Sequence, residues 1–218
     1  MERTIPGWSE QVTSLRLIAR IGRRAIHVVA FVAALGLGSC DKHPGNMAQS
    51  LDLSNLPRHY DTLGVGASTL NYSPFYIHQW AIEGPDGSGV TGGGANVSPV
   101  EADGKPSGGG GDMCCSDVPS VWQPDLKVTV RWLVYRKEDH TTNWYKAENV
   151  RIPKYGRIMG NLWAVFLPGD RVRIMVADGQ KGDANDPGVR PADDDPYIAQ
   201  GNVDQKWNRL YRDGEIAQ

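Results

Sequence analysis

Histidine and cysteine are scarce in this sequence, five and three among 218 residues, and neither recurs at the short spacings that hold a metal. No metal site or cofactor is expected on that ground. Beyond residue 39, Lys and Arg nowhere cluster, so the chain lacks the basic face with which a nucleic-acid binder neutralises phosphates. G-x-S-x-G, H-E-x-x-H and Walker A patterns are missing, which removes the common signatures of a serine hydrolase, a zinc protease and a phosphate-binding loop. The reading is therefore of a non-enzymatic protein, with a hydrolase of unrecognised pattern as the outside alternative. No apolar run reaches the roughly 20 residues a helix needs to cross a bilayer. What abounds is glycine and proline, 26 and 14 residues, a composition of turns and short strands.

Charge is unevenly divided. Residues 1–39 carry five Arg against Glu2 and Glu10, a balance of +3, and the remaining 18 basic and 23 acidic residues leave -5. Four of those arginines (16, 20, 23 and 24) precede the apolar run 25–37, the order of a positive n-region and an h-region in a signal peptide. The run ends in Leu37-Gly38-Ser39-Cys40, which resembles the bacterial lipobox. The resemblance implies cleavage before Cys40, a lipid on that residue, and a domain facing the periplasm from the inner or outer membrane. Acyl methylenes buried at about 0.8 kcal/mol each make such an anchor durable. Residues 1–39 are then the leader, 40–61 a polar, proline-containing tether, and 62–218 one β-rich domain.

Within that domain, residues 62–70 and 75–82 read as strands joined through Asn71, Ser73 and Pro74. Residues 84–111 are dominated by glycine and read as loop. Residues 126–135 alternate cleanly, with Leu126, Val128, Val130 and Trp132 forming the core face. A strand over 144–152 follows, and then a hairpin of 162–167 with 171–176 about Pro168-Gly169-Asp170. Pro196 is placed to open a short helix with Asp195 as its N-cap, and with Trp207 and Leu210 packing back. The fold class is mostly β: a single antiparallel β-sandwich or open barrel with long Gly-rich loops and a short C-terminal helix.

Gly87, Gly89 and Gly92 satisfy G-x-G-x-x-G in spacing, but Gly93, Gly94 and Pro99 forbid the helix on which a pyrophosphate must sit. Asp178, Asp183, Asn185, Asp186 and residues 193–195 read as a solvated acidic loop, with a weak Ca²⁺ site or a basic-partner contact as runner-up. Once Cys40 is consumed by lipid, Cys114 and Cys115 are the only thiols left in an oxidising compartment. A vicinal disulfide, two free thiols and an intermolecular bridge stand as alternatives, with the first favoured. Either the pair is a stiff knuckle presenting the Gly-rich stretch to a partner, or it is a local brace.

Asn71-Tyr72, Ile77, Gly92-Gly93-Gly94, Cys114-Cys115, Pro119, Trp122-Gln-Pro124, Val128-Thr-Val130-Arg-Trp132, Val150-Arg-Ile-Pro153 and Phe166-Leu-Pro168-Gly169-Asp170-Arg-Val172 follow in this order. Over residues 65–177 the pattern resembles a proteobacterial lipoprotein domain family of uncharacterised function. Some members of that family look like immunity proteins of type VI secretion phospholipase effectors. The resemblance implies a membrane-anchored inhibitor that binds its cognate secreted lipase. Gly92, Gly93, Gly94 and Trp122 are the candidate contacts. The alternative is a general envelope binding or structural lipoprotein with no toxin partner.

Overall fold

The computed structural model describes residues 59–216, all within one compact unit. The leader, the lipidation residue Cys40 and the tether up to residue 58 lie outside the described residues. Among the described residues, eleven strands and one helix follow in order. The strands are β1 (Thr62–Asn71), β2 (Tyr76–Glu83), β3 (Thr91–Gly94), β4 (Ser107–Gly108), β5 (Met113–Pro119), β6 (Lys127–Arg136), β7 (Thr141–Arg151), β8 (Leu162–Leu167), β9 (Arg171–Val176), β10 (Ala199–Gln200) and β11 (Asn202–Val203); the helix is α1 (Gln205–Arg212).

They form one sheet in the order β10-β9-β8-β1-β5-β3-β2-β6-β7-β11, with β4 as an extra partner of β1. Of the two architectures the composition allows, the barrel is the one formed, and it is nearly closed. Every pairing is antiparallel except β1 with β8, where Ala67 to Asn71 run parallel to Leu162 to Phe166. Closure comes from a five-residue strap. Ala199 and Gln200 pair with Val172 and Arg171 of β9, while Asn202 and Val203 pair with Lys146 and Tyr145 of β7. The two ends of the sheet are thus stitched through the single residue Gly201.

The alternation along β6 puts Val128, Val130, Trp132 and Val134 inside, each at most 1 % exposed, as the sequence pattern indicates. Ile77, Trp80, Ile82, Val118, Phe166 and Ile174 are among the other side chains of this core, so the barrel interior is packed with side chains. A second cluster of Leu70, Tyr72, Val165, Leu167 and Met175 lies apart from this core, packed with Trp163 and Ile198.

Two sequence expectations are corrected. Residues 84–111 are not all loop, since β3 pairs with β2 from Trp80 with Gly94 to Glu83 with Thr91, and β4 pairs with β1. Asp195 is not the helix cap and Pro196 opens no helix. The cap is Asp204, whose carboxylate accepts from the Trp207 N–H at 3.1 Å. Trp207 does pack back, edge-on to Trp144 at 4.9 Å, and buried Asn208 bonds both backbone groups of Trp144.

Tyr155, in the connection from β7 to β8, closes the core by donating its phenol to the Pro119 carbonyl at 2.7 Å. Burial pushes its ionisation up from 10.0 to about 12. A raised folded value means that the contribution is whole below pH 10.0 and is lost as pH climbs through about 12. Tyr155→Phe is therefore expected to cost about 1 kcal/mol at neutral pH for the lost hydrogen bond. It should also flatten the alkaline fall in stability. Urea midpoints at about pH 8 and about pH 11 test this; an unchanged alkaline fall would refute it.

Candidate functional site

The register between β1 and β5 locates the cysteines. Val65 faces Ser116 and Ala67 faces Met113, so one residue of β1, Gly66, stands opposite two of β5, Cys114 and Cys115. The pair is the bulge of β5, and the two sulfurs are joined as a vicinal disulfide. Bulges gather at barrel rims, where they re-aim the strand. Residues 108–115 are all exposed, so the tetraglycine and the cysteine pair form one continuous strip of accessible chain.

The glycine run lies on β3, the strand beside β5 in the sheet, which approaches β5 at Asp117 and Ser116. Gly92, Gly93 and Gly94 form most of β3, and a methyl group on any of them would come closer than 3.0 Å to a neighbour. Those neighbours are the Ser116 side chain for Gly92, the Trp80 carbonyl for Gly93 and the Trp80 indole for Gly94. These positions are glycine because other strands occupy the space of a side chain. Trp122 is half-buried against the core, and its indole N–H donates to the Ile152 carbonyl at 3.0 Å. The structure brings the glycine run and the cysteine bulge to neighbouring strands. Trp122 lines none of the surface around them.

Between the end of β3 and the start of β5 the sheet splits, because Thr91 with Asp117 is the single register pair joining the two strands. A cleft of about 180 Å³ opens there, its walls formed by Ala67, Thr69, Asn96, Val97, Asp112 and Met113 with glycine backbone. Asp112 is held by hydrogen bonds from Ser68 Oγ at 2.5 Å and Asn161 Nδ2 at 2.6 Å, both to Oδ1. Those bonds, that from Ser68 foremost, hold its carboxyl below the ordinary carboxylate range. Asp112, Ser68 and Asn161 escaped the sequence reading. The one available signal was an acid set between four glycines and two cysteines.

The acidic stretch 178–195 is not simply solvated. Asp178 accepts from the Gly156 and Gln180 amides, Asp186 from Gly182 and Gly188, and Asp183 from Asn185. Asp193 pairs with Arg171 and Asp195 with Arg173. Those carboxylates are spent on turns and on arginines of β9, and among the described residues no group of three or more His, Cys, Asp or Glu is arranged to hold a metal. The stretch is a cover laid on β9.

Residues 70–174 match DUF3304, a family described as protein of unknown function. The matched segment runs from the end of β1 into β9, so it takes in the glycine run, the cysteine bulge and the cleft walls after β1, and leaves out Ala67, Thr69, the strap and α1. No curated protein and no solved structure matches the chain.

Proposed function

We propose that the chain is a lipid-anchored binding protein of the cell envelope that neutralises a cognate type VI secreted phospholipase by occluding contact. The observation that carries this reading is the filled barrel. Trp132, Phe166, Ile77, Ile82, Leu162 and Ile174 take up the interior, so recognition falls to the outer surface, where a macromolecular partner is met. The lipobox-like sequence ending at Cys40 adds the location, since a lipase inhibitor is most useful at the bilayer the lipase attacks. The order of glycines, cysteines and tryptophans supports the choice of partner.

The reading expects a lipase gene beside the gene for this chain, and delivering its product into the periplasm should kill cells lacking the chain and spare cells that make it. Cys40→Ser, which removes the lipid, should weaken protection while the protein remains present. Equal survival with and without the chain would end this reading.

A further inference from the structure

The strap closes the barrel on one side, and the split between β3 and β5 is where pairing fails. Three features meet at that split. Residues 113–115 of β5 present toward β3 an edge that no register pair fills. Edges left open in proteins are commonly blunted by Lys, Pro or a bulge; residues 107–117 contain neither Lys nor Pro, and the bulge at Cys114 and Cys115 is formed against β1, on the other side of the strand. Beside this edge the cleft offers apolar walls from Ala67, Val97 and Met113. Finally, Asp112 is the one charged residue lining the cleft. Ser68 and Asn161 both bind its Oδ1, which fixes the carboxylate and leaves Oδ2 without a partner among the described residues.

We infer that this split is a docking site for an extended segment of a protein partner, one that carries a basic residue beside an apolar one. The segment adds as a strand along the open edge of β5, and its main chain supplies affinity. One apolar side chain enters the cleft and the adjacent Lys or Arg meets Oδ2 of Asp112. Charge selects the occupant: a fixed carboxylate with one free oxygen favours a cation and repels an acidic segment. The inference rests on the reading of the chain as a protein-binding domain, and it adds where the partner docks and what its docking segment contains.

The test is selection of displayed random peptides on the full-length lipidated protein in lipid nanodiscs. Peptides that alternate apolar residues around one Lys or Arg are expected to be enriched. Ala95→Trp, at an exposed position on the cleft wall, should weaken them about tenfold or more. Asp112→Asn keeps an acceptor for Ser68 and Asn161 and should weaken basic peptides selectively. Methylating alternate main-chain amides of a selected peptide should also abolish strand pairing and binding. Absence of enrichment, or enriched peptides that bind Ala95→Trp as well as the parent chain, overturns the site. The assay contains no lipase, so its outcome is independent of protection. Failure here with protection intact places the contact elsewhere, whereas peptide binding without protection upholds the site and removes the lipase alone.

Discussion

Arg173→Ala is expected to lower the unfolding free energy by about 3–5 kcal/mol, the range for removing one partner of a buried ion pair. The Arg173 side chain is 3 % exposed on β9, where its Nε donates to Asp195 Oδ2 at 3.0 Å. Its Nη2 donates to the Ala184 carbonyl at 2.7 Å and its Nη1 to the Met175 sulfur at 3.2 Å. Burial lowers the guanidinium's proton affinity, and the Asp195 charge opposes that shift. Truncation leaves the Asp195 carboxylate and the Ala184 carbonyl short of a donor, and opens space beside Met175 in the second cluster. Asp195→Asn retains an acceptor and should cost less, about 1.5–3 kcal/mol for the charge-assisted bond. Chemical denaturation gives both values. If Arg173→Ala unfolds at the parent midpoint, the cover over 178–195 is held by something else.

That pair also shows why part of the fold was legible in the sequence and part was not. Strand β6 could be read from its own residues, because alternation of Val128, Val130 and Trp132 with Lys127, Thr129 and Arg131 is a local property of a half-buried strand. The hairpin about Pro168-Gly169-Asp170 was equally local, with Gly169 and Asp170 at φ of +80° and +58°. Strand β5 gave no such signal. Its sequence Met-Cys-Cys-Ser-Asp-Val-Pro has no period, and it is a strand because β1, some fifty residues earlier, pairs with it. Asp195 before Pro196 looked like a helix start, but its carboxylate is taken by Arg173 and by the Tyr197 amide. The chain must then cross the barrel seam as β10 and β11 before Asp204 can cap α1. The candidate site divides the same way. Glycines and cysteines stood out by type, while the cleft depends on Ser68 and Asn161 meeting Asp112 from 44 and 49 residues away. Local chemistry marks turns and alternating strands; long-range pairing decides which glycines become strand and which acids become anchors.

The seam itself yields the second large effect: Gly201→Ala is expected to cost about 3 kcal/mol, at the upper end for forcing extra atoms into a packed site. A methyl group there would run into the Trp132 ring and lie 2.7 Å from the Asp170 carbonyl oxygen. Neither neighbour can yield cheaply. Trp132 is 1 % exposed and sits between Tyr145 and Phe166 at centroid distances of 6.0 and 5.7 Å. The Asp170 carbonyl accepts the Gly201 N–H at 2.8 Å, while the Asp170 carboxylate is bound by Arg136 at 2.7 Å. The strap must lift from β9 or from β7 to make room, so the damage should appear at the seam before the rest of the barrel. Amide hydrogen exchange is the sharper measurement: Val172, Arg171, Tyr145 and Lys146, the strap's pairing partners, should lose protection more than β1 or β5. Trp132→Phe removes the indole atoms nearest the added methyl. If the steric account is right, it should therefore cost less in the Gly201→Ala chain than in the parent. Strictly additive losses, or exchange that quickens evenly around the barrel, would mean that the strap is not what closes it.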